Sequence, residues 1–347
     1  MASSRIERDT FGVTADGRTV DRYTLQNSCG TVARFITLGA TLTELHLADR
    51  DGQLADVVLG FDQLSAYETN SPYFGSTIGR VAFRTTNAHF NLDGHTYQLS
   101  RNAGSHHLHG GSGGFSQVVW QAEPFLVDSA PSVLFAYNSP KDDQGYPGNL
   151  TVSVQFTLNN QNELCIDYLA STDQPTPVNL THHSYFNLGG HDSGTVLDHV
   201  LQIEADRYAP ADAELIPTGE LASVTHTPLD FRLATPIGQR LAETGGYDLG
   251  YVLNAGQTCA AVLKDPRSGR RMNVVTTSPA LVLYTGNYLD GSLRGKRGAQ
   301  YAQYAGVCLE TGHLPDSVNH ARFPSIILRP GTTYHENCTY RFFADPQ

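Results

Sequence analysis

The 347-residue chain has no run approaching the roughly 20 consecutive apolar residues that span a bilayer. Its N-terminus, MASSRIERDTFG, has no apolar core of the kind a secretion signal needs. A soluble, cytoplasmic protein with no membrane partner is therefore expected. Thiols are few. Cys29, Cys165, Cys259, Cys308 and Cys338 are odd in number, widely spaced and never arranged as Cys-x-x-Cys. That pattern excludes a disulfide framework and a thiolate zinc site, and leaves reduced thiols, mostly buried. Charge is also scarce, at 16% of residues, and it is unbalanced: 34 acidic against 23 basic side chains give a formal charge of -11. The resulting field repels a phosphate backbone, so no nucleic-acid partner is expected. No internal repeat, low-complexity tract or linker-like shift divides the chain. All-β domains reach roughly 200 to 250 residues as one unit, so a single domain over residues 1–347 is the expectation.

What the chain does have is turn formers and short apolar alternations. With 33 Gly and 17 Pro beside a 40% hydrophobic fraction, many turns around a sizeable core are implied, not long helices. In NLTVSVQFTL, apolar residues fall at 150, 152, 154, 156 and 158, the period of two of a half-buried strand. Leu164, Ile166 and Tyr168 repeat it after the turn-forming NNQNE, which predicts a hairpin. A second hairpin is predicted where Phe90, Leu92, Tyr97 and Leu99 flank Asp93-Gly94. VLDHVLQIEA, RMNVVTT, ALVLYTG and YRFF are further strand candidates at short intervals. Helix is expected only as a turn or two near 64–67 and 237–242. This reads as an all-β chain, a large antiparallel β-sandwich.

Four segments set ionisable side chains in Gly-rich surroundings, where loops on a β scaffold display functional groups. They are GRVAFR (79–84), HHLHGG (106–111), PVNLTHHSYFNLGG (177–190) and GVCLETGHLPDSVNH (306–320). Together with GYPGNL, TPLDFR, GGYD, YTGNYLDG and FPSIILRPG, in this order, they resemble the aldose 1-epimerase, or galactose mutarotase, family. The resemblance runs from about Phe11 to the C-terminus and implies the mutarotase-like supersandwich.

The reaction it implies sets its own requirements. Opening a cyclic hemiacetal removes a proton from the anomeric hydroxyl and gives one to the ring oxygen, so a base and an acid must flank that unit. No cofactor, metal or covalent nucleophile is called for. Taken alone, His183 is as well explained by a histidine satisfied in a core, and Glu310 by a strand-end ion pair. The resemblance assigns His183 as the acid and Glu310 as the base. It gives His109 and Arg84 the task of holding the ring oxygen region and the hydroxyls, and Asp248 that of accepting hydroxyl protons. His182, standing where the family has Asn, is expected to support the site or touch substrate, and Arg80 to be a structural ion-pair partner.

The chain departs from the pattern at Phe83, Leu249, Val282 and Gly312, where the family has Asn, His, Gln and Gln. All four changes remove polar groups, so Phe83 and Val282 are expected to face the substrate and redirect specificity toward a deoxy or alkylated sugar or a non-sugar lactol. Three other readings stay open: a hexose-6-phosphate 1-epimerase, a non-catalytic sugar-binding protein, and a metal site built on the His107-x-His109 pair. A monomer or homodimer acting on a small sugar is expected.

Overall fold

The computed structural model describes residues 4–69 and 72–346. Strand dominates it. A nine-stranded antiparallel sheet runs, from edge to edge, Gln121–Val127, Ala130–Ser139, Leu150–Leu158, Glu163–Thr172, Tyr334–Ala344, Arg270–Thr276, Ala261–Lys264, Val200–Ile203 and Thr235–Pro236. The five N-terminal strands from Arg5–Val13 to Leu54–Asp56 form a sequential meander. A third sheet of five strands ends in Asp248–Val252, Ala280–Tyr284 and Cys308–Gly312, all antiparallel. The α-helices among the described residues are Leu64–Glu68 and Leu241–Thr244, close to the two turns expected from the sequence.

The sheets form because their strands alternate. Leu150, Val152, Val154, Phe156 and Leu158 are all in the main core, as are Leu164, Ile166 and Tyr168 across the predicted hairpin, where Leu158 pairs with Leu164. Each fully buried side chain of this size is worth about 1.5–3 kcal/mol, so a one-residue slip of register would forfeit a whole face. The turn between them is closed by Asn159 Oδ1, which accepts the Gln161 and Glu163 amides. The second predicted hairpin is also present, with Asp93 and Gly94 both at positive φ, as a two-residue turn of this twist requires. The strand expected over VLDHVLQIEA is shorter, Val200–Ile203, because Val196, His199 and the residues between them turn on their own backbone bonds.

One apolar cluster is shared by all three sheets. Tyr23 and Leu25 of the meander, Val154 and Ile166 of the large sheet, and Leu281, Leu283 and Leu309 of the third sheet meet in it. Alternation then fixes what the third sheet shows on its other face: Asp248, Val282, Tyr284, Cys308 and Glu310. The fold thus turns one face of that sheet into core and the other into a cavity wall.

Two expectations need correction. Of the five free cysteines only Cys308 and Cys338 are buried; Cys165 and Cys259 are half-buried and Cys29 is exposed. Arg80 is structural but makes no ion pair among the described residues: its guanidinium donates to backbone carbonyls and hydroxyls instead.

Candidate active site

The motif segments are joined by backbone hydrogen bonds. Arg84–Thr85 pairs with His107–Leu108, so His109 leaves that ladder directly beside Phe83. The His109 amide donates to the Phe83 carbonyl at 3.1 Å. The Phe83 amide donates to His109 Nδ1 at 3.2 Å. Behind them, Gly110 lies at φ +82, and a Cβ there would sit 1.7 Å from the Gly79 carbonyl oxygen, so the loop closes on the GRVAFR segment only with glycine. The Ala82 amide bonds the Asn179 carbonyl, and Thr181–His182 pairs with Thr77–Ile78, which brings in the segment carrying His183. Glu310 arrives on the third sheet, directly opposite Val282 in the ladder.

These residues meet in a cavity of about 430 Å³ lined by Phe83, Arg84, His109, His183, Asp248, Val282 and Glu310, among others. His183 Nε2 lies 3.6 Å from Glu310 Oε1, and both side chains are buried. The other carboxyl oxygen, Oε2, has no hydrogen-bond partner among the described residues. A buried acceptor without a partner costs about 1–3 kcal/mol, a cost that a donor entering the cavity would remove. Burial, and next the charge of Asp248, push the Glu310 carboxyl well above its ordinary range. Burial also pushes the His183 imidazole down, to about 4. The pair therefore favours holding a single proton between them.

His183 stacks with two rings, Tyr185 at 5.1 Å and Tyr73 at 5.9 Å, each within 30° of parallel to it. Its Nδ1 faces the Cys308 thiol at 3.5 Å. A thiol donating there leaves the imidazole proton on Nε2, toward Glu310. His109 is constrained similarly. Because its Nδ1 accepts from Phe83, the neutral ring carries its proton on Nε2, and burial keeps it neutral, far below its ordinary range. Arg84 and Asp248 stand 4.0 Å apart at the wall, with Asp248 raised by burial to about 6 despite the guanidinium.

The expected site residues are thus brought together with one exception. His182 is buried, bonds Ser184 through Nδ1 and packs on Phe156, and it is not among the cavity-lining residues, a placement that fits the supporting one of its two expected roles. Alternation turns it to the opposite side from His183. Leu249 touches the cavity, but its side chain packs on the main core, opposite Asp248. The His107-x-His109 pair does not converge: His107 is occupied by the Ser100 carbonyl and the Tyr146 hydroxyl. A different trio, His109, His183 and Glu310, does bring three donor atoms within 4.8 Å of one another. Sequence reasoning missed Tyr73, Tyr185 and Cys308. Tyr185 lies in the THHSYFN motif two residues past His183, which was a usable signal; for Tyr73 there was none.

The pattern of the aldose 1-epimerase family matches residues 21–341. The galactose mutarotase of Homo sapiens is 43% identical over 348 residues, 99% of this chain and 99% of that protein. The aldose 1-epimerase of Escherichia coli (strain K12) is 38% identical over 349 residues, 97% and 99% of the two chains. Among solved structures, galactose 1-epimerase from Lactobacillus acidophilus NCFM superposes with a TM-score of 0.87 at 28% identity, covering 98% of this chain and 99% of that one. An aldose epimerase homologue from C. elegans gives 0.87 at 30%, covering 99% of each.

Proposed function

The chain belongs to the aldose 1-epimerase family and interconverts the anomers of a sugar, and we propose that Glu310 is the base and His183 the acid of that exchange. The observation that carries this reading is Glu310 Oε2, without a hydrogen-bond partner among the described residues and buried in the cavity wall beside the His183 imidazole. The two oxygens of a hemiacetal share one carbon, so the groups serving them must be close. In the reactive form the one shared proton sits on His183, as an imidazolium, and Glu310 is the carboxylate. Glu310 accepts the proton of the anomeric hydroxyl as the ring C–O bond breaks, and His183 Nε2 gives its proton to the ring oxygen, leaving a protonated carboxyl and a neutral imidazole. The open chain then rotates about its first C–C bond and recloses with the proton movements reversed. His109 Nε2–H and the Arg84 fork orient the sugar, and Asp248 accepts from a hydroxyl.

Two features weigh against the phosphorylated-sugar reading. Arg84 is the one cationic Lys or Arg side chain among the cavity-lining residues, and it already faces Asp248. The two basic runs of the sequence, residues 267–271 and 294–297, are absent from the cavity lining: within them Arg270 is held by three backbone carbonyls and Lys296 by Asp56.

Polarimetry on a freshly dissolved single anomer tests the reading. The competent pair carries one proton, so kcat/KM should fall in acid, when a second proton joins it, and in alkali, when the shared one leaves. A profile flat from pH 4 to 10 would contradict the assignment, and loss of turnover on dialysis against EDTA would transfer His109, His183 and Glu310 to a metal role. His182→Asn, in contrast, should stay above the roughly 10²-fold loss that marks removal of an acid or base. Equal losses at 182 and 183 would mean that the neighbour, or the whole segment, had been misread.

A further inference from the structure

The groups around Glu310 differ sharply in what they offer a ligand. Toward His183, Arg84 and Asp248 the wall can donate or accept; at Val282 and Gly312, on the sheet beside Glu310, it cannot. Val282 stands directly across the ladder from Glu310, and Gly312, two residues along the same strand and on the same face, has no side chain. The ring of Phe83 covers that gap: a Cβ on Gly312 would lie 3.6 Å from Phe83 Cε2. Phe83 and Val282 belong to one buried cluster with Ile78 and Ala82, and both line the cavity.

The backbone at Phe83 reinforces this. Its φ is +69, a left-handed conformation costly for a bulky aromatic residue, held by the two hydrogen bonds to His109. Asparagine would adopt it more easily. Strain retained at a cavity wall points to what the side chain does there. A sugar hydroxyl pressed against this surface gives up its water and finds no partner, whereas a methyl group or a bare ring carbon loses nothing.

We propose that the natural substrate is an aldose with an apolar edge, one ring hydroxyl being absent or O-alkylated, seated against Phe83 and Val282. The proposal rests on the anomer-exchange reading of the same cavity and narrows its substrate class.

The experiment compares kcat/KM for anomer exchange, by polarimetry or exchange NMR, across glucose and galactose and their monodeoxy and mono-O-methyl derivatives. At least one derivative should exceed its parent hexose by roughly tenfold or more, the size of effect a lost hydroxyl partner produces. Phe83→Asn combined with Val282→Thr should then narrow that ratio by a similar factor, chiefly by improving the parent hexose. Both changes are chosen to preserve folding: Asn suits the left-handed backbone, and Thr keeps the shape of Val. Gly312 is left alone, because a Cβ there would meet Asn179 Oδ1 at 2.9 Å, an atom that already accepts the His313 amide. A parent hexose that outperforms every derivative overturns the apolar-edge proposal while leaving the catalytic assignment intact. Exchange that is absent for every sugar with the wild-type chain removes the catalytic reading and this proposal with it.

Discussion

Replacing Glu310 with Gln should suppress anomer exchange by roughly 10²- to 10⁴-fold, the usual worth of one general acid or base, and should at the same time make the protein more stable. The first half follows from the proposed proton path. A carboxamide is nearly the same size as the carboxyl it replaces and cannot take a proton from the anomeric hydroxyl. His183→Asn should cost a comparable factor from the other end of the path, and the double variant little more than the worse single one, because the two groups act as a unit. Either single variant exchanging its best substrate at close to the wild-type rate would remove that residue from the mechanism.

The second half separates this site from a merely structural one. Glu310 is buried, one of its oxygens lacks a partner, and its folded pKa lies well above the unfolded value of 4.5. A raised carboxyl contributes stability that is fully present below the unfolded pKa and is lost as pH rises through the folded one. Between those two values each pH unit costs about 1.4 kcal/mol, or roughly 2 °C in the Tm of a chain this large. Gln carries no such cost. The variant and the wild type should therefore melt closest together near pH 4, and the variant should gain on the wild type as pH rises from there toward the folded pKa. A difference that does not change with pH would mean that the carboxyl is not held protonated by its surroundings.

What could be read in advance divides along physical lines. Strands such as Leu150–Leu158 were legible because burial on one face writes itself into the sequence with a period of two, and Asp93-Gly94 because few residues tolerate two consecutive positive φ angles. The roles of Glu310 and His183 were legible only through resemblance: nothing in CLET or THHS alone says that the two side chains end 3.6 Å apart. That closeness depends on the pairing of Thr181–His182 with Thr77–Ile78 and on the placement of Glu310 beside Val282, which are long-range events. The same limit left other placements open. His182 and His183 are equal as letters, but adjacent residues of an extended segment face opposite ways, so one reaches the cavity and the other Phe156. Leu249 was grouped with Phe83 and Val282 by its polarity, and strand alternation instead sends it to the core.

Arg80 shows how far the site depends on groups that never reach the cavity, and its replacement should have the largest effect on stability of any change considered. The residue is 2% exposed. It donates to Ser139 Oγ at 2.9 Å, the Pro147 carbonyl at 2.9 Å, the Ser139 carbonyl at 3.0 Å and the Pro140 carbonyl at 2.8 Å. None of these acceptors is a carboxylate. The nearest negative charge is relayed, since Ser139 Oγ donates to Asp143 at 2.6 Å. Arg80→Ala leaves several buried acceptors unsatisfied, at about 1–3 kcal/mol each, together with a cavity, so a loss exceeding roughly 4 kcal/mol is expected. Arg80→Lys keeps the charge but supplies a single nitrogen that cannot reach acceptors spread around a planar fork, so it should recover only part of that loss. The damage should also reach the site. Arg80 lies over the Tyr146 ring, whose hydroxyl bonds His107 Nε2, and His107 shares its strand with the segment that delivers His109. Urea titration of both variants, with kcat/KM measured on the folded Lys variant, tests the chain of contacts. An Arg80→Lys protein whose midpoint and turnover both match the wild type would show that the carbonyl cage needs only a positive charge, and that the fork geometry contributes nothing to holding His109 in place.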